Sequence, residues 1–120
     1  MFIYLYVING GEYVEKIKKT TDLLKALADE HRLKIIDLLS CCGELCVCDL
    51  TEQMNLSQPN MSHHLKILKN AELIVATKCG RWVHYNLNEK QINKMQKNID
   101  FIVSKQPKRY NFKKSNCKLN

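Results

Sequence analysis

The side chains best able to do chemistry in this 120-residue chain are its six cysteines, of which Cys41, Cys42, Cys46 and Cys48 cluster while Cys79 and Cys117 stand alone. Thiolates are soft donors for thiophilic ions, and thiols are also oxidisable. The first eight residues, MFIYLYVI, are apolar, but they lack a basic segment and a small-residue cleavage site and are too short to span a bilayer. A cysteine cluster without a secretory signal points to a reducing compartment, the cytoplasm, where it serves metals or redox chemistry more often than disulfides. Cys79 and Cys117, taken singly, fit the role of small buried hydrophobes. Enzyme chemistry finds little to use. There is no Cys-x-x-Cys, no Ser/His/Asp grouping and no glycine-rich phosphate loop, and the chain has only four glycines. No small-molecule substrate is expected.

The thiols must be positioned by the stretch 46–70, CVCDLTEQMNLSQPNMSHHLKILKN. In its first half Val47, Leu50 and Met54 form one apolar stripe at helical spacing, and Cys46, Cys48, Asp49, Glu52 and Gln53 lie off it. In its second half Met61, Leu65 and Leu68 repeat that spacing. Asn55-Leu56-Ser57 supplies a turn residue, an apolar plug and an N-cap, with Pro59 in the first turn. Two helices joined this tightly cross as a helix-turn-helix. The second then offers Gln58, Asn60, Ser62, His63 and Lys66 outward, short polar groups for base edges and a cation for phosphate. His64 flanks the core stripe and reads as structural, and neither His31 nor His84 is given a role.

Around this unit the spacing predicts a helix over 12–28, with Val14, Ile17, Thr21, Leu24 and Ala28 forming a seam for a partner helix. Asp29 caps a second helix over 30–40, whose Leu33, Ile35, Ile36, Leu38 and Leu39 are numerous enough to predict burial, and Gly43 supplies the positive φ that stops it. After Asn70 the pattern alternates: Ile74–Thr77 and Trp82–Leu87 flank Gly80, a hairpin with Lys78 and Arg81 at its tip, where cations reach phosphate or a minor groove. A final helix over 89–104 carries the stripe Ile92, Met95, Ile99 and Ile102. The expectation is a mostly α winged helix-turn-helix of about five helices and a two-stranded wing. It divides into an apolar extension (1–11), a DNA-binding and dimerisation domain (12–104) and a basic tail (105–120).

Charge follows the same division. The formal net charge is +7, but six of the 19 basic residues lie from Lys105 onward with no acidic residue among them. Residues 1–104 therefore hold 13 basic and 12 acidic side chains and are nearly neutral. The tail lacks apolar periodicity and contains Pro107, which predicts a solvated segment suited to a polyanion such as DNA.

The strings LLKALADEHRLKIIDLL (23–39), GELCVCDLTEQM (43–54), LSQPNMSHHLKILKNAELI (56–74) and GRWVHYNL (80–87) resemble the ArsR/SmtB family of metal-responsive winged helix-turn-helix repressors. The resemblance implies a homodimer paired through its first and last helices, with Val14, Ile17, Leu24, Ile92, Met95 and Ile99 in the interface. It implies a double-stranded operator, an imperfect inverted repeat, read by Ser57, Gln58, Ser62 and His63, with Arg81 in the wing. It also implies that no cofactor is permanently bound and that DNA is released when an inducer ion binds. The last helix has no His or Cys, so a sensor site there looks absent. Glu44–Asp49 matches the family's arsenite/antimonite and cadmium/lead sensors, so As(III) or Sb(III), or else Cd(II) or Pb(II), is the implied inducer at Cys46 and Cys48.

Two departures from the family pattern bear on the ion. Thr51 stands where a third cysteine often falls, and residues 1–40 contain no cysteine. Because soft ions want three or more thiolates, a third is sought among Cys41, Cys42, Cys79 and Cys117, and Cys42 is assigned as the least costly in loop closure. Residues two apart on a helix point ~200° from one another, so an ion held by Cys46 and Cys48 is expected to unwind the helix start. Oxidant sensing by the clustered thiols is the alternative.

Overall fold

A computed structural model describes residues 10–104 together with Lys113 and Ser115. Most of the expected apolar extension, nearly all of the basic tail, and Cys117 lie outside the described residues. The elements run α1 (Gly10–Leu27), α2 (Glu30–Cys42), β1 (Leu45–Cys46), α3 (Val47–Met54), α4 (Gln58–Asn70), β2 (Ile74–Cys79), β3 (Trp82–Leu87) and α5 (Glu89–Val103). This is a winged helix with five helices, as the sequence predicts. The sheet, however, has three strands, in the order β1-β3-β2, where two were expected. Leu45 pairs with Tyr85 and Cys46 with His84. A two-residue strand has no periodicity to read, and only the partner strand reveals it.

Local chemistry sets the boundaries. The Asp29 carboxylate accepts from the His31 and Arg32 N–H groups at 2.8 and 3.2 Å and starts α2, while Gly43 at φ 76° ends it. Cys41 and Cys42 thus belong to the last turn of α2 rather than to the loop after it. Asn55 closes α3 in the left-handed region at φ 51°, the turn of the helix-turn-helix, and the Ser57 hydroxyl accepts from the Asn60 N–H at 3.3 Å to open α4. In the wing, Gly80 at φ 62° permits the tight reversal between Cys79 and Trp82.

The core sits where α2, α3, α4 and the root of the wing meet. Ile35, Leu50, Met61, Leu65, Leu68, Leu73 and Ile74 are its fully buried large side chains, each contributing ~1.5–3 kcal/mol by leaving water. Burial of α2 is less complete than its apolar content predicts. Ile35 and Leu39 point inward, but Leu33 is 55% exposed on the far side of the helix. On α1 the inward face is Tyr13, Thr20, Leu23 and Ala26, and of the expected seam Val14 and Leu24 are exposed while Ile17 is half-buried. The α5 stripe divides: Met95, expected at an interface between chains, is buried in the chain's own core, and Ile92 and Ile99 pack half-buried against it. The reason is that α5 lies along α1 in the same chain, with Tyr13 edge-on to Phe101 at 6.1 Å between ring centroids.

His64 has the structural part expected of it. The Arg32 guanidinium donates from Nη1 to its Nδ1 at 3.3 Å and from Nε to the Ala26 carbonyl at 2.6 Å, tying α4 to the α1–α2 junction. Arg32 can only donate, so Nδ1 must stay unprotonated. Burial, opposed by Asp29 at 3.9 Å and aided by Arg32, holds the imidazole below its ordinary value of 6.5. The unfolded chain therefore takes up this proton first. His64's contribution is complete above pH 6.5 and is lost as pH falls below that value, in a window above the carboxylate range where Asp29 titrates. Melting temperature should drop between pH 7.5 and 5.5 in the wild type and vary less in His64→Gln; parallel curves would show that the imidazole is not linked to folding.

Candidate functional site

Cys46 belongs to β1 by its backbone and to α3 by its side chain. Its φ of −83° and ψ of 166° are extended, because the residue is paired to β3, and it is the N-cap of α3. The Asp49 N–H donates to Cys46 Sγ at 3.2 Å, and the Cys46 N–H donates to Asp49 Oδ2 at 3.0 Å, a capping box with sulfur in place of the usual hydroxyl. The helical argument that sets the two thiols ~200° apart therefore does not apply, since Cys46 is not helical. With Cα atoms 5.3 Å apart, the Cys46 and Cys48 sulfurs are joined as a disulfide. The ligand atoms of Cys46, Cys48 and Asp49 all lie within 4.8 Å of one another. The two side chains converge with α3 intact. Cys46 is also only 7% exposed, although it lies off the apolar stripe; the paired strand covers it.

The remaining thiols are placed differently. Cys42 ends α2, exposed, and is not among the side chains that converge on Cys46. Its hydrogen bond with the Cys41 thiol, with some desolvation, pushes its pKa up. Cys79 is exposed at the tip of the wing, so the buried-hydrophobe reading does not hold for it.

The expected DNA-contacting residues are exposed. Gln58, Asn60, Ser62, His63 and Lys66 are exposed along α4, and Lys78 and Arg81 are exposed on the wing. Ser57 is exposed too, with its hydroxyl engaged in capping α4. Sequence reasoning missed how these residues meet the thiols. A cavity of about 350 Å³ opens beside Cys46 and Cys48 and is also lined by Thr51, Gln58 of α4, and Arg81 and Trp82 of the wing. Among the described residues no helix is long and apolar enough to cross a membrane.

Residues 29–75 match the profile described as "Bacterial regulatory protein, arsR family". The chain is 46% identical over 85 residues to the arsenical resistance operon repressor of Staphylococcus xylosus, covering 71% of this chain and 81% of that one. The chain belongs to the arsR family of bacterial regulatory proteins. Solved arsR-type folds agree with this. A crystal structure named as a possible transcriptional regulator for arsenical resistance superposes with a TM-score of 0.63 at 27% identity, covering 70% of this chain and 86% of that one. The transcriptional regulator HlyU of Vibrio vulnificus does so with a TM-score of 0.62 at 31% identity, covering 80% and 99%. As an arsR-family member the chain is a DNA-binding transcriptional repressor, and the family is one of regulators rather than enzymes.

The sulfur cap gives a direct test of this geometry. Under reducing conditions Cys46→Ser, which keeps an acceptor at the N-cap, should hold stability within ~0.5 kcal/mol, whereas Cys46→Ala should lose about 1 kcal/mol. Urea denaturation measures both. Equal losses would mean that Sγ does not cap α3.

Proposed function

We propose that the protein is a homodimeric repressor that leaves its operator when a thiophilic ion is taken up by Cys46 and Cys48. As(III) or Sb(III) is the favoured inducer, with Cd(II) or Pb(II) next. The observation that carries this reading is the convergence of Cys46, Cys48 and Asp49 within 4.8 Å at the start of the first helix of the helix-turn-helix. Two thiolates suit a soft, thiophilic centre, and a lone pair of sulfurs with one carboxylate does not make an ordinary Zn(II) site. The relative's name, an arsenical resistance operon repressor, favours the metalloids.

The chain's own residues supply the coupling. With the disulfide reduced, an ion held by Cys46 and Cys48 would turn Cys46 Sγ away from the Asp49 N–H, and Asp49 would be drawn from the Cys46 N–H toward the same centre. Both halves of the capping box loosen, and the start of α3 shifts against its neighbours. Only Asn55, Leu56 and Ser57 separate α3 from α4, so the shift is transmitted to the surface carrying Gln58 and His63. Each ~1.4 kcal/mol of difference between the two states is tenfold in operator affinity. Protons compete for the thiolates, so response weakens at low pH.

Support for the dimer comes from the outward face of α1, where Val14 is 63% and Leu24 43% exposed. With that seam paired, two α4 helices would meet successive major grooves, with half-sites about ten base pairs or a multiple apart. Val14→Asp with Leu24→Asp should shift sedimentation toward monomer and weaken operator binding. A dimer that survives both changes lies on another face.

Fluorescence anisotropy on labelled operator tests the switch. Cys46→Ser and Cys48→Ser should each bind DNA and fail to release it with As(III) or Cd(II), and Cys42→Ser should weaken release only if Cys42 supplies a third sulfur. Release of both Cys46 and Cys48 variants at wild-type ion concentrations would move the sensor elsewhere. Gln58→Ala and His63→Ala should lose preference for operator over random DNA. A second reading, oxidant sensing, is favoured by the bonded sulfurs. There a hydroperoxide would take two electrons from the two thiols, leaving the disulfide, an alcohol and water. Release by peroxide in the absence of any ion, reversed by a phosphine, would support it.

A further inference from the structure

We infer that the cavity beside the thiol pair binds a small thiol bearing a carboxylate, which supplies the third sulfur to the metalloid and sets its carboxylate against Arg81. The inference rests on the metalloid reading above and names a second ligand at the same site. Trivalent arsenic makes three bonds and prefers sulfur in all of them. Cys46 and Cys48 provide two. Among the described residues the third group converging with them is Asp49, a hard carboxylate already occupied with the Cys46 N–H. Cys42, at the end of α2, is not among the groups that converge there.

The cavity has the room and the charge for an outside ligand. At about 350 Å³ it accommodates a small organic molecule, and no acidic side chain lines it. Arg81 forms no ion pair with a carboxylate among the described residues, so a cation on the cavity wall is left to select an anion. Thr51 and Gln58 add hydrogen-bonding groups, and Trp82, 55% exposed, offers an apolar face to an alkyl chain. The exchange balances without redox change. Three As–O bonds of arsenous acid break, three As–S bonds form to Cys46, Cys48 and the small thiol, and each thiol proton leaves with a hydroxide as water. Because Arg81 is also placed to meet phosphate, the bound carboxylate competes with DNA for the same guanidinium, and the small thiol strengthens release.

The test uses full-length protein reduced with a phosphine, which contributes no thiol, and As(III) added alone, with glutathione, or with cysteamine, which lacks a carboxylate. Native mass spectrometry and arsenic X-ray absorption read the adduct directly, so a role for Arg81 in DNA contact does not obscure the result. The expected result is a one-to-one-to-one adduct with glutathione and a shell of three sulfurs, against two sulfurs and an oxygen without it. Glutathione should be retained roughly threefold better than cysteamine, as for a partly exposed ion pair, and Arg81→Ala should abolish that difference. A three-sulfur shell with no added thiol would overturn the inference, because the chain would then supply its own third ligand; so would equal retention of the two thiols by the wild type. Failure of As(III) to bind Cys46 and Cys48 in any arm would overturn the metalloid reading and this site with it.

Discussion

Cys46 is held by two structures that make opposite demands on it. Pairing with His84 keeps its backbone extended, and the helix that starts one residue later needs an acceptor for its free N–H groups. Sulfur at that position meets both demands, since an N-cap is by definition non-helical and offers its side chain to the first turn. The same extended conformation swings Sγ toward Cys48. The wing, the first helix of the helix-turn-helix and the thiol pair are thus joined at a single residue.

That junction puts the two sulfurs a short path from the exposed polar face of α4. α3 is only eight residues long and is anchored by Leu50, which is fully buried against Met61 and Leu65 of α4 in the same cluster. Close-packed interiors transmit small displacements instead of absorbing them. On the other side, the cavity beside the thiols is bounded by Gln58 and by Arg81, so α4 and the wing share a wall with the sulfurs.

The α1 and α5 helices divide their apolar surface between the chain's own core and the outside. α5 is used mostly within, with Met95 enclosed and Phe101 against Tyr13. α1 turns Leu23 and Ala26 inward and presents Val14 and Leu24 outward. A helix that is apolar on two faces leaves one of them in water in the single chain. The Arg32–His64 contact ties the junction of α1 and α2 to α4.

Much of this was legible in the residues. The 3.6-residue stripes, the capping residues Asp29 and Ser57, the left-handed positions Gly43, Asn55 and Gly80, and the alternation of the wing are local signals, and each fixed an element close to where it stands. The exposed polar face of α4 and the cations of the wing were likewise readable, because solvent exposure follows from periodicity. Other features depended on partners distant in sequence. Leu45 and Cys46 become a strand only because Tyr85 and His84 lie beside them, and that pairing turned two apparently divergent helical thiols into a convergent pair. Met95 entered the chain's own core because α5 packs on α1, a choice its stripe could not express. The cavity shared by Cys48, Gln58 and Arg81 joins three segments, and a surface between segments is set by how they pack, which no single stretch of sequence encodes.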